Sequence, residues 1–118
     1  MPFISLNITS DLSKYDDQLI EFIDNELSQM SGFNTLLCKY RIIFTKEKII
    51  NNVQNRKLIN SSSIRCDFMT FKDRKPDVLK CMVDSCSSGI KKFIDYNKLS
   101  CLYSVTIVFI DRKFTMSE

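Results

Sequence analysis

The chain has 118 residues, 44% hydrophobic and 26% charged, with a net charge of +3. That is long enough for one domain with its own core. The basic excess is too mild and too dispersed for a nucleic-acid partner, though it suits a small anionic ligand.

No apolar run approaches the roughly 20 residues of a membrane span. No basic region followed by an apolar stretch opens the sequence. A cytoplasmic protein with no membrane partner is therefore expected. Five cysteines (Cys38, Cys66, Cys81, Cys86 and Cys101) occur without a C-x-x-C, and there is no histidine. No metal site is expected from such a set. Reduced thiols used as small buried hydrophobes are the expectation instead. Without histidine, Ser–His and Cys–His pairs are excluded. Acid–base chemistry must then fall to carboxylates, tyrosines, cysteines, lysines or a terminal amine.

The opening MPFISLNIT alternates: Ile4, Leu6 and Ile8 point one way, and Phe3, Ser5 and Asn7 the other. This is the period of a half-buried strand. Pro2 stands at its start, where the missing N–H costs little. Loss of Met1 would leave Pro2 with a free secondary amine. Thr9-Ser10-Asp11 supplies N-cap chemistry. Leu12, Tyr15, Leu19, Phe22, Ile23, Leu27 and Met30 then keep helical spacing, with Ser31-Gly32 as the expected stop.

A second strand is expected over 38–45, CKYRIIFT, with Lys39 and Arg41 on one face and Tyr40 on the other. Residues 46–63 read as a loop rich in Asn, Lys and Ser, with a short strand or helical turn at Ile49-Ile50. IRCDFMTF, 64–71, is a third strand: Ile64, Cys66, Phe68 and Thr70 share one face, and Arg65, Asp67, Met69 and Phe71 the other. KDRKPD turns the chain, with Pro76 suited to a first helical turn. Val78, Leu79, Met82, Val83, Cys86, Ile90, Phe93 and Ile94 mark a second helix, closed by Asn97-Lys98. CLYSVTIVFI, 101–110, is the last strand.

The order β-α-β-β-α-β divides the single domain, 1–118, into two pseudo-repeated halves, about 1–60 and 61–118. An α+β fold follows: a four-stranded mixed sheet with two helices on one face. The other face would leave Phe3, Met69 and Phe71 uncovered, which predicts self-association through the sheet.

This order, with Met-Pro opening the first strand, resembles the tautomerase superfamily, and within it most of all 5-carboxymethyl-2-hydroxymuconate isomerase. The residues that carry the likeness are MPFI, Ser31-Gly32-Phe33, Lys39-Tyr40-Arg41-Ile42, Met69-Thr70-Phe71-Lys72 and the following Arg74. KDRKP stands where that family has glycines before the second helix.

The resemblance implies a homotrimer whose sheets close into a barrel, and no cofactor. It implies an isomerase moving a proton between enol (dienol) and keto forms of an unsaturated carboxylate, with Pro2 as general base and acid. Arg74, Arg41 and Lys39 would then hold the substrate's carboxylates. The physical chemistry agrees. A buried amine loses proton affinity, and arginine pairs well with carboxylates and developing oxyanions.

Blander readings stand beside this one. Pro2 can be a plain strand-starting residue, and the three cations can be solvated surface charges. A catalytically inactive trimeric binding protein on the same fold is one alternative. A ferredoxin-like binding or regulatory domain is another. The third strand lacks the glycine-aromatic-basic pattern of an RNA-recognition sheet and carries Asp67, which argues against RNA.

Overall fold

A computed structural model describes residues 3–31, 33–46, 49–50, 58–59, 62–71 and 74–110. The elements run β1 (Phe3–Thr9), a 3-10 helix (Ser10–Tyr15), α1 (Asp16–Leu27), a 3-10 turn (Thr35–Leu37), β2 (Lys39–Thr45), β3 (Ile49–Ile50), β4 (Leu58–Ile59), β5 (Ser62–Phe71), α2 (Pro76–Asn97) and β6 (Cys101–Ile110).

The main sheet has the order β2-β1-β5-β6. β1 pairs with β2 in parallel, β5 with β6 in parallel, and the two halves meet antiparallel across β1 and β5. Each β-α-β unit is thus unsplit. A ferredoxin-like sheet inserts a strand between the two parallel members of its unit, so that alternative is excluded. β3 and β4 form a separate two-stranded hairpin.

Alternation along the strands decides which side chains enter the core. Ile4, Leu6 and Ile8 of β1 and Ile64, Cys66 and Phe68 of β5 are each at most 1% exposed. They meet Leu19, Ile23 and Leu27 of α1 and Met82, Cys86, Ile90 and Phe93 of α2. The two helices approach so closely at Gly89 that a Cβ there would lie 2.8 Å from the Ile23 Cα. Lys98, at φ 52°, ends α2 in the left-handed conformation. Its N–H reaches the Asp95 carbonyl and the Leu99 N–H the Ile94 carbonyl, the paired bonds of a Schellman cap.

Several expectations are corrected. The first helical segment begins as a 3-10 turn, and α1 stops at Leu27 rather than at Ser31-Gly32; Gly32 lies outside the described residues. Thr9 stands at the N-cap without a side-chain capping bond. The polar side chains there tie strands together instead: Thr9 Oγ1 accepts the Ser63 N–H, and Ser10 Oγ donates to the Thr45 carbonyl. Ser62 and Ser63, expected in a loop, open β5. Long-range pairing with Cys101 and Leu102 of β6 outweighs the local turn preference of serine.

Of the cysteines, only Cys66 and Cys86 are buried; Cys38 and Cys101 are half-buried and Cys81 is exposed. The bare sheet face also differs from expectation. Phe3, Met69 and Phe71 are half-buried, and polar groups fill the middle of that face. Within the sheet the exposed large apolar side chains sit on the two edge strands: Ile43 and Phe44 on β2, and Leu102, Tyr103, Val108 and Phe109 on β6.

Candidate functional site

The candidate cations gather at one end of the sheet, where β1 and β2 begin and β5 ends. Parallel pairing sets Phe3 opposite Lys39 and Ser5 opposite Arg41. Antiparallel pairing sets Phe3 opposite Met69 and Ser5 opposite Asp67. Lys39 and Arg41 are exposed on the face away from the helices. Arg41 is held by two bonds from its guanidinium to Ser5 Oγ, at 3.3 and 3.2 Å. Its charge lies 5.4 Å from the centre of the Phe3 ring, within the range of a cation–π contact.

Arg74 lies on the opposite side. It follows β5 by three residues, and its Nε donates to Thr70 Oγ1 at 2.7 Å. Thr70 is 1% exposed and belongs to the helix-covered face. Among the described residues Arg74 has no carboxylate in salt-bridge contact. Its charge also reaches the thiol of Cys38, just before β2. Thr70 follows Met69, the residue paired with Phe3, so the Arg74 guanidinium is anchored at the end of the sheet where β1 begins. The three cations therefore divide between the faces, Arg74 on the helix side and Lys39 and Arg41 on the other. Pro2 and Lys72 lie outside the described residues.

Three further side chains line the helix side of this end, none of them assigned a role from the sequence. Tyr40 Oη donates to Asp24 Oδ1 of α1 at 3.0 Å. Burial, then this bond, pushes the phenol up, so Tyr40 stays protonated at any ordinary pH. Burial and the nearby Asp24 carboxylate push the Cys38 thiol up to about 11. A thiol in that state is a poor nucleophile near neutrality. In the sequence Asp24 is one of several acidic residues on an amphipathic helix, and only helix–strand packing distinguishes it. Thr70 was legible as a core-facing strand residue, but its bond to Arg74 depends on how the chain leaves β5.

No protein-family model matches the chain, and no curated protein matches its sequence. Solved structures do. A 5-carboxymethyl-2-hydroxymuconate isomerase from Deinococcus radiodurans R1 superposes with a TM-score of 0.77, covering 99% of this chain and 88% of its own at 13% identity. The fold is that of the tautomerases. Two other tautomerase-fold structures are similar. The fused 4-OT symmetric trimer has a TM-score of 0.65 at 8% identity, over 94% of this chain and 87% of its own. N1, of the cis-3-chloroacrylic acid dehalogenase family, has a TM-score of 0.60 at 8% identity, over 97% and 79%. The tautomerase fold thus accounts for nearly the whole chain. Among the described residues no helix is long and apolar enough to cross a membrane.

Proposed function

We propose that this protein is a cofactor-independent isomerase of the tautomerase type. Its substrate is an unsaturated carboxylate that interconverts between enol (dienol) and keto forms. The observation that carries the reading is the Arg74 guanidinium anchored by Thr70 at the end of the sheet where β1 begins, in a fold shared with an isomerase over 99% of the chain.

With Met1 removed, Pro2 carries a secondary amine. A free α-amine titrates at about 8, and burial or a neighbouring cation disfavours the ammonium and lowers that value. The neutral amine takes the enol hydroxyl proton, leaving a dienolate, and the ammonium returns a proton to carbon to give the ketone. No atom is gained or lost and no cofactor is needed. Arg74, Arg41 and Lys39 bind the substrate's carboxylates.

A homotrimer fits the exposed edges. Among the described residues, β2 and β6 each have no strand along their outer edge, and they carry exposed Ile43, Phe44, Leu102, Tyr103, Val108 and Phe109. Pairing the β2 edge of one copy with the β6 edge of the next covers both and closes into a ring.

The test begins with the intact mass of untagged protein, followed by turnover on a panel of enol carboxylates. Met1 should be absent. Pro2→Ala should lower kcat/KM by about 100-fold, a typical contribution of a general base. Retained Met1, or unchanged turnover in the variant, would remove Pro2 from the mechanism and leave a binding role on the same fold.

A further inference from the structure

We infer that Thr70 is a positioning residue for Arg74, turning the guanidinium so that its two terminal nitrogens are offered to a substrate carboxylate at the beginning of β1. The inference rests on the reading of Arg74 as an anion-binding group and adds the residue that aims it.

Arg74 sits in the short connection between β5 and α2, where a long side chain has many rotamers. Immobilising such a chain costs about 1–2 kcal/mol of entropy. Two features restrain it beforehand. Lys75 precedes Pro76 and is extended at φ −65° and ψ 145°, as a residue before proline prefers. The Thr70 hydroxyl, buried on the helix side of the sheet, accepts Nε–H at 2.7 Å. With Nε engaged, the edge formed by the two terminal nitrogens stays available for a two-point bond to a carboxylate. Arg41 is held differently: Nε and one terminal nitrogen both bond Ser5 Oγ. Of the two candidate arginines, Arg74 is thus the one whose Nε is fixed while its terminal edge has no partner among the described residues. The occupant that fits is a planar carboxylate.

The experiment compares wild type, Arg74→Ala, Thr70→Val and Thr70→Ser. It reads kcat and KM for 2-hydroxymuconate, a dicarboxylic dienol, and for phenylenolpyruvate, a monocarboxylic enol. It also reads the Kd of adipate, an unreactive dicarboxylate. Valine matches threonine in shape and removes only the acceptor; serine restores it. Thr70→Val should raise the KM for 2-hydroxymuconate and the Kd of adipate by about three- to tenfold, the scale of one ordinary net hydrogen bond, because the lost bond aims the guanidinium and does not itself touch the ligand. Its kcat should change by less than about twofold, and Thr70→Ser should bring both values back.

If Arg74→Ala weakens dicarboxylate binding and Thr70→Val does not, the positioning role is overturned while Arg74 keeps its own. If Arg74→Ala leaves both KM and Kd unchanged, the anion site itself is refuted and the inference falls with it. Absence of turnover with adipate binding that still follows Thr70 refutes the isomerase and upholds the positioning.

Discussion

Gly89→Ala tests how the two helices hold the site in shape. The new Cβ would stand 2.8 Å from the Ile23 Cα, 2.9 Å from the Phe22 carbonyl oxygen and 3.1 Å from the Ile23 nitrogen. Carbon atoms pack best at about 3.5–4.0 Å. The atoms in the way are backbone, so no rotamer change relieves them and α1 must move off α2. Overpacking of this kind costs about 1–3 kcal/mol. Replacing a mid-helix glycine by alanine returns about 0.8–1 kcal/mol of helix propensity.

Because the atoms nearer than 3.0 Å are backbone, the overpacking cost falls in the upper part of its range, about 2–3 kcal/mol, and the net is a destabilisation of about 1–2 kcal/mol, or roughly 3–10 °C in Tm for a domain of this size. Urea unfolding followed by circular dichroism reads it directly. Protein concentration must be held fixed, because an oligomer's stability depends on it. The displacement also reaches the candidate site, since Asp24 follows Ile23 and accepts the Tyr40 hydroxyl. A variant as stable as wild type, or more so, would refute the close-approach argument.

Two other expectations concern charge and thiols. Glu26 is buried between the helices, where Lys92 pairs with it and Ser88 donates to it at 2.9 Å. The Lys92 bond, with Ser88 adding to it, holds its carboxyl below the usual value. A depressed folded-state pKa contributes stability above the unfolded value, about 4.3, and loses it as pH falls through the folded value. The stability gap between wild type and Glu26→Gln should therefore close on acidification below pH 4; a gap constant from pH 6 to pH 3 would exclude this linkage. Among the cysteines, Cys81 alone is exposed, while burial pushes Cys38 and Cys101 up to about 11. A thiol reagent at neutral pH should label one site quickly, identified by peptide mapping as Cys81, and rapid labelling of Cys66 or Cys86 would contradict the core assignment.

The sequence by itself determined the element order, the two faces of β1 and β5, the end of α2 and the separation of Lys39 and Arg41 from Tyr40. All of these follow from periods of two and 3.6 residues and from local backbone preference, which neighbouring residues carry. The tertiary structure decided the rest. That Ser62 and Ser63 join a strand, and that α1 stops at Leu27, depends on pairing and packing partners distant in sequence. Which strands are edges, and so where apolar side chains stay exposed, depends on sheet order, which strand periodicity does not encode.

The candidate site divides the same way. Lys39, Arg41 and Arg74 could be singled out as cations in suggestive motifs. That Arg41 leans on Ser5 and Phe3 while Arg74 is anchored by Thr70 on the other face could not. A strand's alternation fixes which way a side chain leaves the sheet. Only the path of the chain between β5 and α2 fixes where an arginine beyond the strand comes to rest.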